Sequence, residues 1–152
     1  MTGAAPLLDP RVIALAHYAG RAVLERVLAR HGVTFQQSVT LRPAAVADGP
    51  VARAQLVDGV TGALKIGEEE VNGVIDELIA ARWLAPDGVS RVRITDAGRE
   101  LYAAASGETA PVSARIYQGI PREDLAVAGR VLSLITERAD AELAALRTTP
   151  ER

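Results

Sequence analysis

The stretch VNGVIDELIAARWLAPDGVSRVRITDAGREL, residues 71–101, decides the fold. Its first part carries an apolar stripe at helical spacing: Val71, Val74, Ile75, Leu78 and Ile79. The turn residues at 86–88 then separate two short stretches, and from residue 89 to residue 94 the side chains alternate in character, as in a small hairpin. Thr95 is a suitable cap for another helix. The stretch therefore predicts a helix, a hairpin and a further helix in immediate succession.

Two helices are predicted near the N-terminus. Asp9 is a suitable N-cap and Pro10 a suitable first residue for a helix that runs to about His31. Thr34 is a suitable cap for a second helix, which Pro43 is expected to interrupt or delay.

A third helix is predicted from Val51, after a turn at residues 47–50. A tight turn at residues 65–67 separates it from the helix that begins at Glu68. Two helices joined by a tight, Gly-containing turn and followed at once by a hairpin are the parts of a winged helix. The fold class is therefore predicted as mainly α with a small β-hairpin wing, and the winged helix-turn-helix is expected between Thr34 and Tyr102.

The last part of the chain predicts one more long helix. The helix capped by Thr95 has an uncertain end, because residues 106–111 are rich in helix breakers. Pro121 then opens a helix of about 25 residues. One face of that helix is apolar and contains Leu125, Ala128, Leu132, Ile135, Ala139 and Leu143.

The apolar stripes of the first and last helices are wider than the small central core can cover, so we expect a second copy of the chain to cover them. Residues 1–152 are accordingly predicted to form a single domain. Its winged-helix core is assigned to residues 32–105, and its dimerisation helices to residues 9–31 and 106–147.

The composition excludes several functions. The chain has no Cys, which excludes disulfides, thiolate metal sites and cysteine nucleophiles. We find no Gly-rich phosphate loop and no nucleophile motif, so an enzyme is not expected. His17 and His31 lie about 21 Å apart along one helix and cannot share a metal within one chain. No metal or cofactor is predicted, and the lack of a signal sequence or long apolar run leads us to expect a cytoplasmic protein.

The chain resembles the MarR-type regulators in the order and spacing of its elements. The most specific likeness is ITDAGREL, residues 94–101, and a looser one is GVTFQQSVTL, residues 32–41. The resemblance implies a homodimeric winged-helix repressor that answers to a small ligand. Two features depart from the family's pattern. Acidic residues, Asn72 and Gly73 stand where the family commonly has small hydroxyl or basic residues, and the predicted wing is shorter, with fewer Arg.

The residues expected to contact DNA lie on the fourth helix, just before it and on the wing: Lys65, Glu69, Asn72, Gly73, Ser90, Arg91 and Arg93. A recognition helix enters the major groove by its N-terminal half. A carboxylate can accept a hydrogen bond from cytosine and an amide can bind adenine. The glutamates at 68–70 are equally explained as partners of the helix dipole, and Asn72 as a solvated polar residue.

The charge of this region leaves a second function open. Between Arg53 and Arg93 there are five basic and seven acidic residues, a balance of −2, whereas phosphate neutralisation normally supplies much of DNA affinity. Two hypotheses therefore remain. The leading one is a homodimeric repressor on a palindromic DNA site. The alternative is a winged-helix module that binds a protein or ligand and has little affinity for DNA.

The resemblance also implies a ligand crevice among the first, second and linking helices. The residues expected to line it are His17, Tyr18, Arg21, Gln37 and Arg42. Together these side chains suit an aromatic or anionic effector. Each of them is also explained as an ordinary packing or surface residue.

Overall fold

The computed structural model describes residues 3–148, and within them it contains six helices and three strands. The helices are α1 (Pro10–Ala29), α2 (Phe35–Val46), α3 (Arg53–Leu64), α4 (Glu68–Ala80), α5 (Asp96–Tyr117) and α6 (Arg122–Thr148). The strands are β1 (Val51–Ala52), β2 (Leu84–Asp87) and β3 (Arg91–Ile94). They form an antiparallel sheet in the order β1-β3-β2. The predicted fold class, mainly α with a hairpin wing, is confirmed.

The first two helices begin where their capping residues predict. The Asp9 carboxylate accepts a hydrogen bond from the backbone N–H of Val12, and Pro10 is the first residue of α1. The Thr34 hydroxyl accepts from the N–H of Gln37, whose side chain accepts from the N–H of Thr34 in return. This reciprocal pair satisfies two backbone donors that the helix itself leaves unbonded.

Proline does not interrupt α2, so that prediction is wrong. Pro43 lies inside the helix, which continues to Val46. A proline removes one backbone donor, but its neighbours Leu41 and Ala44 are buried in the core and hold the segment in place. Further along the chain, α5 likewise continues through Pro111 to Tyr117.

The start of the third helix differs from the prediction. Val51 belongs to β1, where it pairs with Val92, and α3 begins only at Arg53. A two-residue strand has too little pattern to be recognised without its partner. The hairpin turn also lies later in the sequence than predicted, because Pro86 belongs to β2 and the turn occupies residues 88–90. Since β2 is an edge strand, it tolerates the missing donor of the proline.

The core lies where α2, α3, α4 and the hairpin meet. The apolar stripe of α4 faces it, and Val71, Ile75 and Leu78 are fully buried there. On β3 the buried Val92 and Ile94 alternate with the exposed Arg91 and Arg93. Burial of one face of each element thus fixes which residues of α4 and of the wing remain outside.

Thr95 and Gly98 join the wing to α5. The Thr95 hydroxyl donates to the carbonyl of Arg82 at 2.6 Å and accepts from the N–H of Gly98 at 3.0 Å. A Cβ at Gly98 would lie 2.2 Å from the carbonyl oxygen of Trp83. Only glycine fits this close approach of backbone to backbone. The ITDAGREL sequence therefore has a structural explanation.

The chain divides into two compact units between Val112 and Ser113, within α5. The first unit contains α1 to α4, the sheet and most of α5. The second contains the end of α5 and α6, a 27-residue helix with no buried residue in its described length. The predicted single domain and the boundaries 32–105, 9–31 and 106–147 stay predictions. Along residues 3–148, no helix is both long enough and apolar enough to cross a bilayer.

Candidate functional site

A tight turn sets α4 against α3. Lys65 ends α3 in the left-handed conformation, with φ of 57°, and its ammonium group donates to the carbonyl of Gly62 at 2.5 Å. Gly67 then precedes α4 without supplying a side-chain cap. The predicted DNA residue Lys65 therefore lies exposed immediately before the first turn of α4.

The outer face of α4 is acidic. The helix carries five carboxylates and no basic residue. Glu69 and Gly73, two of the predicted DNA residues, are exposed. Within residues 3–148 the Glu69 side chain makes no hydrogen bond or ion pair, so it is available to a partner outside the chain.

Asn72 is bound within the protein. Its side-chain oxygen accepts from Nε of Arg53 at 3.0 Å, and its side-chain nitrogen donates to the carbonyl of Glu68 at 3.1 Å. The same guanidinium forms an ion pair with Asp76 at 2.9 Å. Both polar atoms of the Asn72 amide are therefore engaged by α3 and α4, where the sequence alone suggested an open base-reading group.

Two glutamates of α4 are bonded to α2. Nε2 of Gln36 donates to Glu70 at 3.0 Å, and Nε2 of Gln37 donates to Glu77 at 2.9 Å. Together with the ion pair of Asp76, these bonds account for three of the five carboxylates of α4. A large part of the acidity that the sequence presents therefore has a role inside the fold.

The wing presents its arginines outward. Arg91 and Arg93 are two residues apart on β3 and both are exposed, so they share the outer face of the hairpin. Ser90 and Val89 are exposed at its tip. The three predicted wing residues, Ser90, Arg91 and Arg93, are thus all exposed.

A cleft of about 370 Å³ lies between the first two turns of α3, the first two turns of α4 and the tip of the wing. Among its polar lining residues are Arg53, Asp58, Glu68, Asn72 and Ser90. It brings together Asn72 and Ser90, which the sequence predicts as site residues. Arg53 and Asp58 also line it and were not predicted, because β1, which places Arg53 there, is too short to recognise.

A second cavity, of about 230 Å³, lies among α1, α2 and α5. We call this cavity the crevice. Its apolar lining includes Leu24, Leu28 and Val39, and its polar lining residues are Ser38, Arg42, Tyr102, Ser106 and Thr109. Of the five predicted ligand residues, Arg42 lines the crevice.

The other four predicted ligand residues lie elsewhere. His17 and Tyr18 are exposed on α1. The Arg21 guanidinium stacks 4.1 Å above the ring of Phe35 and forms an ion pair with Glu25. The side chain of Gln37 forms hydrogen bonds with the N–H of Thr34 and with Glu77. Their roles in ligand binding stay predictions, without support from the lining of the crevice.

The sequence does not single out the polar residues of α5, because residues 106–111 are rich in helix breakers. Tyr102, Ser106 and Thr109 recur at spacings of four and three, which places them on one helical face. That periodicity was the available signal. Glu108, next to Thr109, bonds His31 at 3.1 Å and Arg30 at 3.4 Å, which ties the end of α1 to α5 beside the crevice.

Solved structures resemble this chain over most of its length. CouR from Rhodococcus jostii RHA1, bound to p-coumaroyl-CoA, is 17% identical, with a TM-score of 0.69 over 82% of this chain and 88% of its own. The reduced form of MarR from E. coli is 14% identical, with a TM-score of 0.66 over 86% and 95%. A MarR family transcriptional regulator from Silicibacter pomeroyi is 24% identical, with a TM-score of 0.64 over 84% and 89%.

No family model and no curated protein matches the sequence. At the identities found, the structural likeness concerns the fold. The chain therefore has a MarR-like winged-helix fold, as the ITDAGREL stretch predicted. A fold does not determine a function, so the function of this chain depends on its own surface residues.

Proposed function

We propose that this MarR-like winged-helix protein is a homodimeric DNA-binding transcriptional regulator, a repressor that a small ligand releases from DNA. The observation that carries the proposal is the arrangement of α3, α4 and the wing. A tight turn joins the two helices, α4 leaves its first turn exposed, and the hairpin beside it presents Arg91 and Arg93 outward. These are the parts that a winged helix uses on a duplex.

In this proposal α4 enters the major groove by its first two turns. Glu69 accepts a hydrogen bond from the amino group of cytosine, and the small surface at Gly73 allows the backbone to approach the bases. Lys65 contacts a phosphate at the start of the helix. Ser90, Arg91 and Arg93 contact the backbone or the adjacent minor groove from the wing.

Asn72 has a more restricted role. Arg53 and the carbonyl of Glu68 already occupy one acceptor site and one donor of its amide, so a base would compete with them for the orientation of that amide. In its present position it holds the start of α3 against α4. We therefore propose that Asn72 reads a base only when DNA offers better partners to Arg53, such as a phosphate.

The dimer is proposed from apolar surface that the chain leaves exposed. No described residue of α6 is buried, and Leu132 and Ile135 on its apolar stripe are 38% and 39% exposed. Leu15 and Tyr18 of α1 are 53% and 64% exposed. A second copy of the chain would cover such surface and present two α4 helices to a palindromic site.

The ligand is proposed to bind in the crevice. An apolar cavity of roughly 150 Å³ is enough for benzene, so about 230 Å³ suits a single substituted ring. The hydroxyl groups of Tyr102, Ser106 and Thr109 supply hydrogen bonds, and Arg42 attracts an anionic substituent. Binding would favour a form of the dimer whose α4 helices no longer match the DNA.

The test is a gel-shift or fluorescence titration against the upstream region of the protein's own gene, at about 50 and 200 mM salt. We expect binding at the lower salt and clearly weaker binding at the higher. An unrelated duplex of equal length is the control. Absence of binding at the lower salt would refute the DNA-binding role.

The second candidate is a winged-helix module that binds a protein or ligand and has little affinity for DNA. The start of α4 favours it, because Glu68 and Glu69 are exposed there without a bonded side-chain partner among residues 3–148 and give the helix an acidic face. Such a face repels phosphates and suits a basic partner. Failure to bind DNA by a protein that still dimerises and takes a ligand would select this candidate.

A further inference from the structure

We propose that Gln36 and Gln37 are positioning residues that couple the crevice to α4. We call the two side-chain hydrogen bonds from these glutamines to Glu70 and Glu77 the glutamine clamp. The inference rests on the proposed function, because it assigns the route by which a ligand in the crevice alters the recognition helix. It concerns the regulation of that site and adds two residues to its machinery.

The clamp holds α4 at two separated points. Gln36 bonds Glu70 at 3.0 Å in the first turn of α4, and Gln37 bonds Glu77 at 2.9 Å near its end. The two glutamates are seven residues apart, which is about 10.5 Å along a helix and places them on one face. Two attachments so far apart fix the tilt of α4 as well as its position. Bonds to ionised carboxylates are also stronger than bonds between neutral groups.

The helix that carries the clamp also lines the crevice. Ser38 and Val39 follow Gln37 directly and contribute to the lining, as does Arg42 one turn further on. Because a helix moves as a rigid element, a ligand that displaces this part of α2 displaces Gln36 and Gln37 with it. The glutamates of α4 then follow, or their hydrogen bonds break.

Gln37 strengthens this link at the start of α2. Its side-chain oxygen accepts from the N–H of Thr34, while its side-chain nitrogen donates to Glu77. One amide therefore bridges the cap of α2 and the last turn of α4. A shift of the cap changes the geometry of the bond to Glu77 directly.

The test fills the crevice without the natural ligand. The chain has no Cys, so Ser106→Cys supplies a single thiol in the lining of the crevice. Benzyl methanethiosulfonate converts that thiol to a mixed disulfide that carries a benzyl group, with release of methanesulfinate. Amide hydrogen exchange of α4 is then measured by mass spectrometry with and without the label. We expect the label to change the exchange rates of α4 by at least about twofold. Unchanged rates would overturn the proposal.

Variants of α4 test whether the clamp carries the effect. In a Ser106→Cys background, Glu70→Ala/Glu77→Ala removes both acceptors and leaves the cap of α2 intact. It is expected to abolish the response to the label. Glu68→Ala/Glu69→Ala is the matched control, because it removes the same charge from the same helix and keeps both bonds to α2; it is expected to retain the response.

A conservative pair separates hydrogen bonding from charge. Glu70→Gln/Glu77→Gln keeps an acceptor oxygen at each position, and we expect it to retain most of the response. An undiminished response in Glu70→Ala/Glu77→Ala would overturn the clamp, as would equal losses in that variant and in Glu68→Ala/Glu69→Ala. Circular dichroism shows whether each variant folds. Hydrogen exchange needs no DNA, so failure of the clamp is distinguishable from failure of DNA binding.

Discussion

Residue 98 has to be glycine because the backbone of Trp83 passes close to its Cα. A Cβ at this position would lie 2.2 Å from the Trp83 carbonyl and 2.8 Å from the Ile94 side chain. Gly98→Ala is therefore expected to lower the free energy of unfolding by about 2 kcal/mol. Urea denaturation followed by circular dichroism measures the change.

Gly107→Ala is the matched control on the same helix. A Cβ at Gly107 meets nothing within 4 Å, so its gain in helix propensity should stabilise the protein by roughly 0.5–1 kcal/mol. Equal effects of the two substitutions would contradict the close packing at Gly98.

Thr40 carries a buried hydroxyl group without a partner. Its side chain is 1% exposed, and within residues 3–148 its oxygen has no hydrogen bond. Thr40→Val replaces the hydroxyl with a methyl group of similar shape and is expected to stabilise the protein by about 1 kcal/mol.

Thr95→Val, which removes the bonds to Arg82 and Gly98, should instead destabilise it by about 1 kcal/mol. Thermal unfolding measures whether the melting temperature rises in Thr40→Val and falls in Thr95→Val.

At the scale of the element, the sequence predicted helices best where capping and periodicity agree. Asp9 combined a capping residue with an apolar stripe at the start of α1, whereas the stripe beginning at Val71 was sufficient for α4, which has no side-chain cap. The predicted interruption at Pro43 was wrong because a proline alone indicates a helix break, whereas packing of the residues around it in the core maintains α2. The strand containing Val51 exists only through its pairing with Val92, a long-range contact that no local pattern announces.

The candidate site was predicted less completely than the fold. Exposure of Arg91 and Arg93 followed from alternation along a strand. The hydrogen bond from Arg53 to Asn72 could not be predicted in this way, because it joins two side chains that are nineteen residues apart in the sequence. Which residues line the crevice is decided by the packing of α1, α2 and α5, which the sequence does not show. Of the five residues predicted to bind a ligand, Arg42 alone lines the crevice.

The apolar stripe of α6 is expected to hold the dimer together. Leu132→Glu/Ile135→Glu places two charges on that stripe and should convert the dimer to a monomer, because burying unpaired carboxylates is costly. Size-exclusion chromatography with light scattering measures the mass. Ala126→Glu/Ser133→Glu adds the same charge on another exposed face of α6 and should leave the dimer intact. A dimeric Leu132→Glu/Ile135→Glu variant would contradict the assignment.

At the scale of the whole molecule, the proposed DNA face has few cations, because five of the 17 basic residues lie between Arg53 and Arg93, against seven acidic ones. Arg91→Ala/Arg93→Ala should therefore weaken binding strongly and to a similar degree on different sequences. The slope of log affinity against log salt should fall by about 2 when two phosphate contacts are lost. Arg122→Ala/Arg130→Ala on α6 removes equal charge outside the wing, and an equal loss there would point to a nonspecific effect.

Hydroxyl-radical footprinting on the upstream region tests whether a dimer of this protein binds a palindromic site, since it shows the symmetry of the complex and the grooves that are contacted. Two α4 helices in successive major grooves should protect two regions related by a two-fold axis, with centres about 10 base pairs apart or a multiple of that. We expect this symmetric pair of protected regions at low salt. No protection, or a single asymmetric region, would contradict it.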